Sequence, residues 1–555
     1  MCFLCKIAVD KTFVGFYNMT AKKLKDVQRM NSKYIQYFRN VLPCIKHGII
    51  CGSLTGAVIF LFRYCSKYIE SISRALYAVA SQSPLGCIIA VVVSCAFALL
   101  MYLLHKKIPE IKGGGIPRSE GILRGLLPFR WLPTFVGTVA GSFISFFCGI
   151  PVGSEGPAVL IGTCLGGACC ARSKNRYAID RYVMTGGAGA GFAVATGAPL
   201  SAMLFALEEI HKRFTPMLVM TVSVSVLCST VVNRLLCSVY GISPYLFSFE
   251  ENFSFGLSRV PYLVLLGVLT ALAVGVFDKS IHLFKRFSKF AQNAVPAWAK
   301  LTVLFFITSI MGLFFTEGIY SGHHVIEEVH HNHTNLFLLA AILVIRLFMM
   351  LVITDCGATG GIFIPTLAIG ALFGAIASRL LIFIGLPEEL CCAVTLLGMC
   401  GFLGGTLRAP FTACVLFAEL TGGVSELFYV ALTVFTVNLI TELIGQVPFY
   451  DMVLEHTVRK QNKGVENSTK YYKMTVADNS FVVGKTVRDV MWPYFCVVLS
   501  VEHMTDYSDK YFNDGEKKLS PGDIVTVRVR QNDSSDVEKR LFALTGCKPS
   551  PMSEG

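Results

Sequence analysis

The residue with the clearest chemical potential is Glu155, the only acid in the apolar stretch from Trp131 to Cys170. A carboxylate at membrane depth costs about 2.5 to 3.5 kcal/mol on insertion scales and usually faces a polar pathway. Pro157 favours the first helical position, so Glu155 is predicted to lie just before unpaired backbone N–H groups. Such a helix end attracts anions, and a carboxylate there competes with a dissolved anion until a proton neutralises it. The motif therefore predicts linked movement of protons and anions, with a loop acid at the membrane surface as the alternative.

Two more segments show the same order of glycine followed by proline. They read Gly-Gly-Gly-Ile-Pro at 113–117 and Gly-Gly-Ile-Phe-Ile-Pro at 360–365. Glycine lets a backbone approach a ligand closely, and proline sets the first helical turn. Together with the segment around Glu155, they predict three helix N-termini that converge on an anion.

The elements that carry these motifs occur twice along the chain. Residues 198–202 resemble residues 409–413, and each segment is followed by an acid, Glu208 in the first case and Glu419 in the second. Residues 157–162 resemble residues 365–370, and the distance along the chain is nearly the same in both matches. The matches predict duplicated halves at about 41–245 and 257–450, with chance similarity of apolar segments as the alternative. Interrupted segments in matching halves point to a transport site at the membrane midplane. If each half crosses an odd number of times, the second half is inverted and helix N-termini meet from opposite directions.

Composition places the chain in a membrane. Of its 555 residues 54% are hydrophobic and 15% are charged, and the mean hydropathy is +0.59. Several apolar runs approach the roughly 20 residues of a spanning helix. We therefore predict an all-α, multi-pass protein of the cell membrane with two inverted-repeat halves and broken, re-entrant helices, and we exclude an ordinary soluble protein.

The net charge of +13 lies largely outside the apolar core. Seven Lys and Arg residues lie between Lys22 and Lys46, and Arg459, Lys460 and Lys463 follow the last apolar run. The positive-inside rule predicts that both termini are cytoplasmic. No nucleic-acid motif accompanies the basic residues, so nucleic acid is not expected as a partner.

The last part of the chain is more polar and predicts a small cytosolic α/β domain. Strand-like runs occupy 495–501 and 524–529, and a helix-like stretch follows Val483–Val487. We assign residues 1–40 to a basic cytosolic segment, 41–455 to the membrane core, 456–469 to a linker, 470–545 to this soluble domain and 546–555 to a tail. Regulation by a small, unidentified ligand is one expected role for the domain, and dimerisation or folding is the other.

A cluster of histidines provides the one metal hypothesis. His323, His324, His330, His331 and His333 share a segment with Glu327 and Glu328. Imidazole and carboxylate groups can bind zinc, but no matched ligand pair or HExxH spacing is present. We therefore expect a polar external loop, no metal and no cofactor, and no enzymatic activity. A membrane metalloenzyme is the remote alternative.

The motifs and the repeat resemble the CLC family of chloride channels and proton-coupled chloride transporters over roughly residues 41–450. The resemblance implies a bacterial-type homodimer with one pathway per subunit, which exchanges chloride or a similar monovalent anion for protons. A passive gated chloride channel with the same filter is the alternative. Pro157 and Tyr450 argue against the fluoride-exporting branch. The C-terminal domain resembles the ligand-binding module of potassium-transport regulators.

The same resemblance assigns roles to particular residues. Glu155 becomes the external gate and Glu209 the internal proton relay, with a helix-end acid paired to Lys212 or Arg213 as the alternative for Glu209. Glu208 matches Glu419 in the repeat, which favours a structural role for it. The expected anion-binding residues are Gly114, Gly115, Ile116, Glu155, Gly156, Ile362, Phe363 and Tyr450.

Two positions depart from the family pattern. Gly114 stands where the first motif normally has serine, and Ser154 stands where lysine or arginine normally precedes the gate. Losing one neutral hydrogen bond is worth about 0.5 to 1.5 kcal/mol, which is enough to reorder closely matched anions. The missing positive charge is expected to alter the titration of the gate and the local anion concentration.

Overall fold

A computed structural model describes residues 2–171, 173, 176–247, 249, 254–292, 295–331, 335–461, 468–493, 496–503, 506–512, 514–531 and 535–552. Most of this chain is helical. In chain order the helices are α1 (Cys2–Ala80), α2 (Pro84–Lys107), α3 (Gly115–Leu123), α4 (Trp131–Phe147), α5 (Glu155–Cys170), α6 (Arg176–Thr196), α7 (Pro199–Phe205), α8 (Pro216–Tyr240), α9 (Val260–Gln292), α10 (Ala297–Phe314), α11 (His323–His331), α12 (Leu336–Cys356), α13 (Phe363–Phe383), α14 (Cys391–Leu407), α15 (Pro410–Thr421), α16 (Leu427–Leu443), α17 (Phe449–Gln461) and α18 (Ser535–Thr545).

In the described part of the chain, nine helical segments are long and apolar enough to cross a membrane. They lie in α1, α2, α8, α9, α10, α12, α13, α14 and α16. The apolar helices α4, α5 and α15 are shorter, which is typical of broken helices that line a polar pathway. The predicted all-α, multi-pass fold is confirmed.

The three glycine and proline motifs begin helices, as the sequence predicts. Helix α3 starts at Gly115, α5 at Glu155 and α13 at Phe363. The predicted start at Pro157 is wrong by two residues, because Ala158 N–H already donates to the Ser154 carbonyl at 2.9 Å. Proline fits the third helical position for the same reason as the first, since the N–H there would have no partner within the helix.

The two compact units of the chain differ in character. One comprises residues 47–176 and 180–465, and the other comprises 1–46, 177–179 and 466–555. The smaller unit contains an antiparallel sheet in the order β3-β2-β4-β1-β5. Its strands are β1 (Ser468–Thr475), β2 (Cys496–His503), β3 (Asp506–Phe512), β4 (Ile524–Gln531) and β5 (Ser550–Met552).

The sheet tests the local predictions for the C-terminal domain. The two predicted strand runs are confirmed as β2 and β4 over the residues described. The helix-like stretch predicted after Val487 is wrong, because this segment forms turns that pair with a neighbouring segment. Arg488 N–H donates to the Gly515 carbonyl at 2.8 Å, directly after Val487 N–H donates to the Lys517 carbonyl at 3.0 Å. These long-range bonds satisfy the backbone groups that a helix would have paired locally.

Candidate functional site

Three helix N-termini meet where the glycine motifs pack backbone against backbone. Gly153 and Gly361 form an isolated antiparallel bridge in which each N–H donates to the carbonyl of the other at 2.7 Å. A β-carbon on Gly115 would collide with the Gly156 carbonyl, and one on Gly361 would lie 2.6 Å from the Gly156 nitrogen. The glycines therefore permit the close approach of α3, α5 and the segment before α13. The first N–H groups of a helix have no partner within it, so three sets of donors are gathered here.

The departure at Gly114 is not imposed by packing. A β-carbon at this position would meet the Ile362 side chain at 3.6 Å, which is ordinary van der Waals contact. A serine side chain therefore has room for its β-carbon. Two predicted anion-binding residues, Gly114 and Ile362, thus lie next to each other although 248 positions separate them in sequence.

Glu155 is buried at the first position of α5. Its side chain belongs to a residue that is 1% exposed, so the surface-loop alternative is wrong. The Ser154 hydroxyl donates to Oε1 at 3.0 Å, whereas Oε2 has no hydrogen-bond partner among the described residues. A β-carbon on Gly153 would collide with Oε2, so glycine makes room for the carboxylate. A buried carboxylate with an unsatisfied oxygen is costly to keep charged, which suits a group that changes its protonation state.

A cavity of about 530 Å³ leads to this carboxylate, and we call it the Glu155 vestibule. One wall is a polar stripe on α1, whose members recur every three or four residues and so share one helix face. The stripe consists of Arg63, Ser66, Lys67, Glu70, Ser71 and Arg74. Arg74 pairs with Glu70 at 2.9 Å, and Arg63 donates to the Val194 carbonyl at 2.6 Å. The family pattern places a positive charge at the position of Ser154, and in this chain Arg63, Lys67 and Arg74 on α1 supply positive charge to the same cavity.

Part of the histidine cluster also lines this cavity, and the prediction of a loop is wrong here, because His323 and His324 begin helix α11. His323 Nε2 donates to the Leu246 carbonyl at 2.7 Å, and its Nδ1 lies 3.5 Å from Glu327. Burial lowers the pKa of His323, and the Glu327 carboxylate opposes that shift. Within the described residues, no group of three or more His, Cys, Asp or Glu side chains could hold a metal ion. The side chains of His330, His331 and His333 lie outside the described part of the chain.

Glu209 lies in a π-helical turn, Ala206–Ile210, that directly follows α7. The residue is 2% exposed, and its Oε1 has no hydrogen-bond partner among the described residues. Such turns recur at functional sites because they rotate a side chain out of the regular helical register. Here the neighbouring Glu208 and Glu209 face different surroundings, since only Glu208 accepts hydrogen bonds from the start of α15.

An ion-pair network lies beside Glu209. Lys212 Nζ contacts Asp451 at 2.6 Å and Glu120 at 3.3 Å, and Arg124 contacts Glu120 at 2.6 Å and Asp451 at 3.5 Å. Burial alone would lower the pKa of Lys212, but the negative charges of Glu209, Glu120 and Asp451 raise it. The alternative in which Glu209 pairs with Lys212 or Arg213 is not what the geometry shows, because the ion pairs of Lys212 go to Glu120 and Asp451 and no ion pair joins Glu209 to either cation among the described residues. The network provides exchangeable groups next to Glu209.

Tyr450 connects the two acids. It is 1% exposed, and its hydroxyl has no hydrogen-bond partner among the described residues. Both Glu209 and Glu155 act on it electrostatically, so the phenol lies within range of each. The buried ring of Phe363 packs edge-on against Phe192 at 4.9 Å between ring centres. Tyr450 is thus within electrostatic range of both acids, and the start of α13 lies near Glu155, because Ile364 and Glu155 line the same vestibule.

A second cavity, of about 580 Å³, opens on the first glycine motif, and we call it the Gly114 vestibule. Its lining includes Gly113, Gly114 and Pro117 together with four basic residues, Lys112, Arg118, Lys285 and Lys300. The motif-based prediction does not identify these cations, nor those of the α1 stripe. The stripe has a usable signal in its helical spacing. Lys285 and Lys300 have none, because only tertiary packing brings them to α3.

Several known proteins are similar to this chain. The family described as voltage gated chloride channel matches residues 96–442. An H(+)/Cl(-) exchange transporter ClcA from Salmonella arizonae is 28% identical over 467 residues, which cover 81% of this chain and 96% of that protein. The protein of the same name from Salmonella schwarzengrund is 26% identical over 480 residues, with 85% and 99% covered.

Solved structures support the same fold. A slow cyanobacterial Cl−/H+ antiporter has a TM-score of 0.69 at 24% identity and covers 76% of this chain and 99% of its own. A eukaryotic CLC transporter has a TM-score of 0.61 at 18% identity, with 76% and 75% covered. A CLC-type fluoride/proton antiporter has a TM-score of 0.60 at 17% identity, with 72% and 96% covered. At these identities the likeness concerns the fold.

Proposed function

The chain belongs to the voltage-gated chloride channel family, and on that premise we propose that it exchanges chloride or a similar monovalent anion for protons across a membrane. The observation that carries the proposal is the pair of buried acids, Glu155 and Glu209, each with an unsatisfied oxygen and both in electrostatic range of Tyr450. A passive pore needs a path for the anion only. Two separate titratable groups also provide stations for a proton. The names of the ClcA relatives support the same activity.

Glu155 acts as the gate in this mechanism. When ionised, its carboxylate occupies the positive end of α5, where the first backbone N–H groups favour a negative charge. Protonation removes that attraction, and the neutral side chain yields the position to an anion from the Glu155 vestibule. Ser154 donates to Oε1 and thereby stabilises the ionised, closed form. The anion and the ionised carboxylate thus exclude each other, which links one anion movement to a protonation event.

The central part of the anion path uses the N-termini gathered by the glycine motifs. We assign anion binding to the N–H groups of Gly114, Gly115, Ile116, Gly156, Ile362 and Phe363 and to the Tyr450 hydroxyl. Each is a neutral donor, so the anion is held without a fixed ion pair that would slow its release. The path continues to the Gly114 vestibule.

The proton follows a different route beyond Tyr450. Glu209 receives it in a buried position, and the Lys212, Asp451 and Glu120 network connects Glu209 to more exposed groups. Asp451 is partly exposed, with 28% of its side chain accessible. The acid buried at Glu209 therefore has a polar exit that does not pass through the Gly114 vestibule.

We also propose that both termini are cytoplasmic and that two copies form a homodimer with one pathway per subunit. The basic residues of the first forty-six positions and those after α16 support the orientation. Labelling single cysteines introduced near residues 40 and 460 with an impermeant reagent tests it, because only disruption of the membrane should allow labelling from outside.

Simultaneous recording of chloride and proton flux tests the exchange itself. We expect an imposed chloride gradient to drive protons uphill into or out of liposomes that contain the purified protein. The control is an equal gradient of an impermeant anion, which should move no protons. Chloride flux without proton movement would contradict exchange and support the channel alternative.

A further inference from the structure

Arg63 is the most buried cation of the α1 stripe, and the mechanism above gives it no role. The residue is 7% exposed, whereas Lys67 and Arg74 farther along the same helix face are exposed. Its side chain lines the Glu155 vestibule together with the gate carboxylate. A buried charge within a membrane is costly and is usually retained for a function.

Two backbone carbonyls hold the guanidinium of Arg63 in place. Its Nη1 donates to the Val194 carbonyl at 2.6 Å and to the Pro244 carbonyl at 3.5 Å. Val194 belongs to the last turn of α6, where the carbonyls have no partner within the helix and the negative end of the helix dipole attracts a cation. The side chain of Arg63 is thus fixed by groups that carry no net charge.

The positive charge of Arg63 therefore has no ion-pair partner among the described residues. Three carboxylates line the same vestibule, and two of them have other partners. Glu70 binds Arg74 at 2.9 Å, and Glu327 lies 3.5 Å from His323 Nδ1. The third is Glu155, whose Oε2 has no hydrogen-bond partner among the described residues. The unpaired cation and the incompletely satisfied carboxylate thus face the same cavity.

Arg63 and Glu155 act on each other electrostatically. Glu70 acts on Glu155 in the opposite sense, because it carries a like charge. Among the cations around the gate, Arg63 has the largest effect on it. The other charged or titratable groups that face Glu155 lie on α1, α11 and α17, and they are Lys67, Arg74, His323, His324, Glu327 and Tyr450.

We propose that Arg63 is the counter-charge of the Glu155 gate, which α1 supplies in place of the lysine or arginine that the family pattern has at position 154. A nearby cation favours the ionised form of a carboxylate, so Arg63 stabilises the closed gate. It is a positioning residue, because it acts through Glu155 and not by holding the transported anion. The inference rests on the proposed gating role of Glu155.

The pH dependence of chloride flux tests this assignment in liposomes that contain the full-length protein and have the same pH on both sides. Protonation opens the gate in the proposed mechanism, so flux should rise as the pH falls through a midpoint. We expect Arg63→Gln to move that midpoint upward by about 0.5 pH unit or more, because a carboxylate that loses its counter-charge takes up a proton at higher pH. Arg63→Lys should keep the midpoint within about 0.3 pH unit of the wild type, since lysine retains the charge. The matched control is Arg234→Gln, which removes an exposed arginine of α8 outside both cavities and should cause no shift.

Two further backgrounds separate an effect of charge from a loss of packing. Ser154→Arg restores the charge of the family pattern, and in the Arg63→Gln variant it should return the midpoint toward the wild-type value. In a Glu155→Gln background, Arg63→Gln should cause no shift, because the group on which Arg63 acts is absent. A purely structural loss would lower the flux in both backgrounds, and a new charge at position 154 would not reverse it.

The outcomes separate this inference from the proposed exchange. An unchanged midpoint in a folded Arg63→Gln variant, or a shift that persists in the Glu155→Gln background, would overturn the assignment. Failure of Ser154→Arg to restore the midpoint would overturn the replacement of the residue at position 154. If Arg63→Gln does not fold, Arg63→Met takes its place, because methionine keeps an apolar stem of similar length. A protein that moves no protons but shows the expected shift would contradict exchange and still support Arg63 as the counter-charge of the gate.

Discussion

Four acids in the centre of the membrane unit form two contrasting pairs. Glu208 and Glu419 occupy matching places in the sequence repeat, and each accepts hydrogen bonds from the other half of the chain. Glu155 and Glu209 have no such symmetry, and each keeps an oxygen without a partner among the described residues. Adjacent positions, Glu208 and Glu209, therefore fall into different pairs. The contrast suggests a rule for the proposed mechanism: acids whose carboxylates are fully hydrogen-bonded hold the fold, and acids with an unsatisfied oxygen are the ones proposed to titrate.

The structural pair forms a reciprocal set of helix caps. Glu419 accepts from the N–H groups of Leu200 and Ser201, both at 2.8 Å, at the start of α7. Glu208 accepts from Phe411 N–H at 3.2 Å and from Thr412 N–H and Oγ1 at 2.8 Å, at the start of α15. A carboxylate at a helix N-terminus gains both hydrogen bonds and the favourable dipole. Each half thus caps the N-terminus of a helix in the other half, and these hydrogen bonds join the two repeats.

The largest expected effect concerns the gate. We predict that Glu155→Gln abolishes proton transport, to below about 1% of the wild-type flux, because glutamine cannot carry a proton. Anion flux should persist, since the uncharged amide no longer competes at the start of α5. Paired chloride and proton recordings in liposomes measure both quantities. Proton coupling that survived the substitution would place Glu155 with the structural pair and break the comparison.

A second prediction contrasts the adjacent acids. We expect Glu209→Gln to reduce proton flux about 10-fold or more and to leave anion flux in place, because the relay is lost while the anion path remains. Glu208→Gln is the matched control, and proton flux in it should follow anion flux as in the wild type. Equal loss of coupling in both variants would show that the two positions act as one unit.

The third prediction concerns stability. Removing a side chain that caps a helix N-terminus costs about 0.5 to 2 kcal/mol. We therefore expect Glu208→Ala and Glu419→Ala each to lower the free energy of unfolding by that amount in detergent. Glu209→Gln should cause little loss, because that side chain caps no helix in the described structure. Denaturant titrations of the three variants measure the difference. A large destabilisation by Glu209→Gln would contradict its assignment to the titrating pair.

The smallest effect is the pH dependence of the network beside Glu209. Burial raises the pKa of Asp451, but the Lys212 ammonium outweighs it and holds this pKa below its usual range. The pKa of Asp451 is lower in the folded protein than in the unfolded chain, where it is about 3.9. The ion pair therefore stabilises the folded state fully above about pH 3.9, and this stabilisation is lost as the pH falls through the folded-state pKa. A partly exposed pair is worth about 1 kcal/mol or less.

Lys212→Met tests that sign. We expect the variant to unfold at a lower temperature than the wild type at pH 7 and at nearly the same temperature near pH 3. Thermal unfolding at several pH values provides the measurement. A difference that grew as the pH fell would contradict the proposed direction, and the conservative variant Lys212→Arg should retain the wild-type profile.

Much of the fold could be predicted because it depends on local signals. Long apolar runs predict spans, glycine followed by proline predicts helix starts, and short strand-like runs predict the strands that became β2 and β4. Two local predictions failed, one because a distant segment supplies the partner and one because the helix begins two residues before its proline. The stretch after Val487 forms turns, and its Arg488 N–H donates to the carbonyl of the distant Gly515. Helix α5 begins before Pro157 because Ser154 accepts the first helical bond.

The amino-acid sequence alone establishes a membrane protein with a costly acid in an apolar run, three glycine motifs and a repeated half. These properties are local, because hydropathy, glycine and proline act on the residues beside them. Only the tertiary structure reveals that Glu208 and Glu419 cap each other's halves, that α1 supplies positive charge near Glu155, and that the Val194 carbonyl holds Arg63 in place. Each of these depends on which groups packing brings within about 3 to 4 Å, the range over which hydrogen bonds and ion pairs form. No periodicity along the chain encodes that proximity.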